Sequence, residues 1–125
     1  MKRFLCALLL CTPGAPAVSD APVARPGDIV LDLDDLQRLT AGNTLTFYDH
    51  GQSRFSVGGA YSYTYPDSGG TAFGVFDIRD DGTVCIQFRN GRSRCDLYVR
   101  RGSLFYLITQ SGDRFPFRTE FRLEP

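Results

Sequence analysis

Tyr61, Tyr63 and Tyr65 alternate with Ser62 and Thr64, so in an extended segment all three rings stand on one face. Such a row can stack on sugar rings or line a ligand cavity. It can equally form core, or a barrel wall whose hydroxyls reach the rim. A second group is Arg89, Arg92, Arg94 and Arg100, with Arg101 beside it. Together they could offer a basic face to an anionic partner, such as a phosphate-bearing envelope glycan or an acidic protein. The plainer reading is a solvated strand face, partly neutralised by Asp96. From Gly82 onward there are eight arginines and four acids, whereas residues 18–81 carry four arginines and ten acids.

The lone histidine, His50, lies in Asp49-His50-Gly51 with Ser53 close by. A nucleophile and its base must meet in space with an orienting group and an oxyanion site, and a turn histidine is more often simply solvated. No catalytic residue is therefore assigned. Asp77, Asp80 and Asp81 lack the spacing of a calcium loop, and Asp-Gly is an ordinary turn signal. Two cysteines and one distant histidine do not make a four-ligand zinc set. No metal or cofactor is expected.

Lys2 and Arg3, the apolar run from Phe4 to Cys11 and the small residues Ala15 and Ala17 have the form of a secretory signal peptide, residues 1–17. The run is far shorter than the roughly 20 residues a membrane-spanning helix needs. The expected location is periplasmic or secreted, without a membrane span. Cleavage would remove Cys6 and Cys11 and leave Cys85 and Cys95, which in an oxidising compartment are expected to pair. Ten residues across a hairpin suit a structural bridge rather than disulfide exchange, which favours a CxxC at a helix start.

The mature part holds twelve arginines, no lysine and fourteen acids, a net charge of −2. That balance gives no reason to expect a nucleic-acid partner. Residues 18–30, rich in Pro and Ala, read as a flexible leader, and 31–125 as one domain.

Asp34-Asp35-Leu36-Gln37 looks like a helix start, with Asp34 as cap and Gln37 reaching back. Leu33, Leu36 and Leu39 share a face, and Gly42 is placed to end the helix. From Thr44 the pattern becomes short strands with turn signals every 8 to 12 residues. Eight strands are expected: 44–49, 53–57, 60–65, 71–79, 83–88, 92–100, 103–109 and 114–119. The connections are too short for crossovers, so neighbours in sequence pair antiparallel. The fold class is mainly β: an up-and-down meander of about eight strands forming a small barrel, with one short N-terminal helix.

A two-residue Asn90-Gly91 turn would put Val84, Ile86 and Phe88 on one core face with Cys95, Leu97, Val99, Leu104, Tyr106, Ile108, Phe115 and Phe117. It would also separate the cysteines onto opposite faces. A three-residue Arg89-Asn90-Gly91 loop would set Cys85 across from Cys95, but would place Arg92 and Arg94 beside Ile86 and Phe88. A bulge between Arg92 and Cys95 would satisfy both demands, so disulfide and bulge are expected together. The run Leu104-Phe105-Tyr106-Leu107-Ile108 is apolar on both faces, and the helix is the expected cover for Phe105 and Leu107.

The segments Leu39-Thr40-Ala41-Gly42-Asn43-Thr44, Gly74-Val75-Phe76, Asp81-Gly82-Thr83-Val84-Cys85, Phe88, Asn90-Gly91 and Cys95 resemble a family of small secreted bacterial domains of unknown function. The resemblance covers 31–117 and implies a lipocalin-like meander with a paired-cysteine hairpin. It departs at Phe76, near which the family pattern has a tryptophan. It implies fold and compartment, and transfers no catalytic residue. The expectation is a non-catalytic envelope protein that binds a small molecule, glycan or protein through its barrel mouth, where Tyr61, Tyr63 and Tyr65 could line a pocket, or through its arginines. An envelope-acting hydrolase and a purely structural interaction module are the alternatives.

Overall fold

The computed structural model describes residues 21–119; the segment 1–17, expected to be a signal peptide, residues 18–20 and residues 120–125 lie outside it. A two-residue strand β1 (Ile29–Val30) and one helix α1 (Leu33–Thr40) precede eight strands: β2 (Thr44–Phe47), β3 (Gln52–Phe55), β4 (Ala60–Thr64), β5 (Thr71–Ile78), β6 (Thr83–Phe88), β7 (Ser93–Arg101), β8 (Leu104–Ile108) and β9 (Arg114–Arg118). Successive strands from β2 to β9 pair antiparallel, and β9 returns to β2 through Thr46↔Arg118 and Phe47↔Phe117. The meander thereby closes into an eight-stranded antiparallel barrel with no free edge.

The β6–β7 hairpin decides which side chains face inward. Gly91 takes φ +87° and its N–H donates to the Phe88 carbonyl, while Phe88 N–H donates to Arg92 O. This three-residue loop sets Cys85 opposite Cys95, and the two form a disulfide. The expected bulge is absent: pairing runs without interruption from Gln87↔Ser93 to Thr83↔Leu97. Alternation therefore sends Arg94, Asp96, Tyr98 and Arg100 to the inner face. Leu97 and Val99 go to the outer face.

The expected core face is corrected accordingly beyond the hairpin. Tyr98, Phe105, Leu107 and Phe117 join Val84 and Ile86 in the interior, whereas Leu97, Val99 and Ile108 form a separate outer cluster with Tyr106 and Ala24. The cover for that outer cluster is the N-terminal strap, part of the segment read as a leader. The strap is tied down from Arg25 onward, and β1 pairs with β7 through Ile29↔Arg100 and Val30↔Val99.

Asp28 holds the strap. Its carboxylate accepts both Nη groups of Arg114 at 2.8 Å, Nη1 of Arg101 at 3.2 Å and the Arg25 backbone N–H at 2.7 Å. The arginines cover its side chain completely. With four donors around it, Asp28 is held well below the usual carboxylate range, chiefly by the Arg114 fork.

The helix begins two residues earlier than expected. Asp32, rather than Asp34, is the cap and accepts the Asp35 N–H at 2.8 Å. Leu36 and Leu39 are fully buried together with Leu31, and they pack into the barrel interior with Leu45, Phe55 and Val84. The helix thus closes one end of the barrel instead of covering the outside of β8, because Phe105 and Leu107 themselves point inward. Leu33 stays partly exposed.

Candidate functional site

At the end opposite the helix lie the turns joining β2 to β3, β4 to β5, β6 to β7 and β8 to β9. Here the interior is not filled. A cup of about 560 Å³ opens between the β2–β3, β4–β5 and β8–β9 turns. Its walls are Phe47, Tyr63, Tyr65, Leu107 and Phe115; Asp49 stands on the rim and Arg94 lines it from β7. Tyr65 and Phe115 remain about half exposed, an unusual state for large rings on the inner side of a barrel.

The tyrosine row divides along its length. Tyr61 is buried, hydrogen-bonded to Ser53 Oγ at 2.9 Å and packed on Phe55 and Phe88. It belongs to the solid part of the barrel, and burial pushes its phenol above the usual value. Tyr63 and Tyr65 meet edge to face at 4.9 Å and line the cup. Burial, helped by Asp49, likewise raises Tyr63. Gly51 allows Tyr63 its position, because a β-carbon at residue 51 would collide with the Tyr63 hydroxyl. Asp49 accepts the Gly51 N–H at 2.8 Å and so shapes that turn.

The arginines do not form one basic face. Arg89 and Arg92 are exposed at the β6–β7 tip, with Arg89 over the Phe73 ring at 5.3 Å. Arg94, expected on the outside, faces inward because the three-residue loop sets the register. Arg100 lies on the same inner face at the helix end; its cross-strand partner is Phe105, and its buried Nε has no hydrogen-bond partner among the described residues.

Arg94 is the only cation lining the cup among the described residues. Its guanidinium rests over the Phe88 ring at 5.6 Å, and its Nε lies 2.9 Å from Asp96 Oδ2. That contact is an ion pair but not an aligned hydrogen bond, since the Nε–H does not point along it. Asp96 is 3% exposed, against 38% for Arg94, and its Oδ1 has no hydrogen-bond partner among the described residues. Desolvation raises Asp96, and the attraction of Arg94 offsets this only partly. The residue types offer Arg94, with Asp96 neutralising it, but as part of an outer strand face and not as an inward pair. The signal that could have found it was the cysteine pairing, which fixes the register.

His50 and Ser53 are not brought together. His50 sits at φ +75° on the exposed β2–β3 turn, while Ser53 is fully buried and engaged with Tyr61. Asp81 caps its own turn through Thr83, and Asp77 lies against Arg79. No three metal-ligating side chains are gathered among the described residues.

Fold and site together define a small closed antiparallel barrel, plugged at one end and hollow at the other. Compared with known protein families, curated proteins and solved structures, the chain matches none.

Proposed function

We propose that this is an exported, non-catalytic binding protein of the cell envelope, of the small secreted kind its turns and cysteines resemble. It takes a small, largely apolar molecule into the cup. One observation carries the reading. The interior is solid from the helix up to Tyr61 and hollow from Tyr63 outward, where large rings stay exposed although they lie on the inner face. Packed interiors leave few voids larger than a water molecule, so a cup of this size at the end of a closed barrel is a binding-site geometry. The signal-like leader and the disulfide support export.

An uncharged apolar dye, N-phenyl-1-naphthylamine, tests this. Its fluorescence is expected to rise saturably with the wild-type protein. Phe115→Arg, which puts a charge into the cup at a half-exposed position, is expected to abolish the rise while thermal unfolding stays cooperative. No saturable signal, or an equal one in the variant, overturns the reading.

A further inference from the structure

Among the described residues the cup holds one cation, Arg94, with Asp49 exposed at the rim. An inward arginine at this depth costs desolvation, and the same purpose of filling space would be met by leucine. Asp96 does not make the pair self-sufficient. Among the described residues it touches the guanidinium only at Nε, misaligned, and its own Oδ1 has no hydrogen-bond partner. No second carboxylate lies within ion-pair distance of Arg94 among the described residues. Phe88 supports the guanidinium by a cation–π contact, the Tyr61 hydroxyl is its polar neighbour on the barrel side, and the Nη edge has no carboxylate partner among the described residues. A planar fork of this kind suits a carboxylate, which can accept two parallel hydrogen bonds. Apolar walls strengthen the attraction by lowering the local dielectric. Asp49 opposes it, but Asp49 is exposed on the rim and is engaged with the Gly51 N–H, so solvent screens its repulsion.

We propose that the ligand is a monoanion on an apolar body, an aryl or short-chain carboxylate whose acid group sits on Arg94 and whose body lies against Phe47, Leu107, Phe115 and the Tyr63–Tyr65 pair. The proposal rests on the reading of the cup as a ligand site. It makes Asp96 the competitor that the incoming carboxylate partly displaces from the guanidinium.

The test is displacement of the bound neutral dye by 1-naphthoate and by its uncharged isostere 1-naphthamide. Wild-type protein is expected to bind the acid at least ten-fold more tightly than the amide. Asp96→Asn is expected to tighten the acid several-fold and leave the amide unchanged, because it removes the competing charge and keeps the shape. Arg94→Gln is expected to erase the preference; should that variant not fold, the wild-type comparison and Asp96→Asn decide. Dye binding with equal affinity for acid and amide overturns the carboxylate and leaves the cup standing. A preference for 1-naphthylmethylamine also overturns it, and assigns the cup's charge sense to Asp49. Absence of dye binding removes both readings.

Discussion

The protein covers two carboxylates with arginine, at opposite sides of the barrel wall. Outside, Asp28 receives a two-pronged fork from Arg114, a further N–H from Arg101 and a backbone N–H from Arg25. Every lone pair has a donor, and the charge is stabilised. Inside, among the described residues, Asp96 has a single misaligned contact with Arg94 and an oxygen without a hydrogen-bond partner, and burial disfavours its charge. The same two residue types therefore make a fastener in one place and an unfinished arrangement in the other. A buried ion pair contributes to stability only when its hydrogen bonds are complete; otherwise desolvation cancels the Coulombic gain.

The comparison is most easily broken at Asp28. Asp28→Ala is expected to lower stability by about 3 kcal/mol, since it leaves Arg114 covered and unpaired and loosens the strap over Leu97, Val99 and Ile108. Urea denaturation measures the loss. A loss as small as that of a surface substitution would remove the distinction between the two sites.

Removing the bridge, as Cys85→Ala with Cys95→Ala, is expected to cost about 3 kcal/mol from the loop of ten residues it closes. Here too the check is urea denaturation, and it should lower stability without changing the Asp28-linked part of the acid titration.

Acid unfolding separates the two carboxylates by sign. Asp28 is depressed in the folded state, so its contribution is present above the ordinary carboxylate value and is lost as pH falls through the folded one. Asp96 is raised, so it destabilises when ionised, and the fold gains from this group as pH falls through the raised value. Asp28→Ala is expected to flatten the acid limb of stability against pH. Asp96→Asn is expected to steepen it.

At neutral pH, Asp96→Asn is expected to leave stability within about 1 kcal/mol of wild type, or to raise it, as judged by the thermal midpoint. A large loss would show that the inner pair is a fastener after all. The smallest effect is expected from Tyr65→Ala. This half-exposed rim ring should change stability by less than about 0.5 kcal/mol, yet weaken dye binding several-fold.

Much of this architecture can be read from residue patterns, because glycine-bearing turns such as Asn90-Gly91 and Ser111-Gly112 punctuate it at even spacing. All eight barrel strands fall where those turns place them, within a residue or two. The helix also follows from its leucine spacing, but its position does not. Whether Leu36 and Leu39 cover a wall or plug an end depends on where Phe105 and Leu107 point, and that depends on the hairpin register. In β7, Leu97 and Val99 are as apolar as an inner face should be, and the strap that covers them comes from a segment with little hydrophobic signal. Periodicity alone therefore chose the wrong side for β7 and β8, while the cysteine pairing demanded the right one. The tyrosine row shows a similar limit: alternation places the three rings on one face, but where packing stops between Tyr61 and Tyr63 is a property of the whole cross-section.

The Cys85–Cys95 bridge lies on the outer wall, and Arg94 and Asp96 are the immediate neighbours of Cys95 in the chain. Sliding β7 by a single step against β6 would turn the Cys95 sulfur toward the lumen, leave Cys85 on the outer wall, and swing the guanidinium into bulk water. The covalent link works as a ratchet tooth that admits only one setting. The oxidation state of the surroundings is in this way coupled to the orientation of a side chain on the far side of the wall, and a reduced chain could keep its strands yet misplace the cation of the cup.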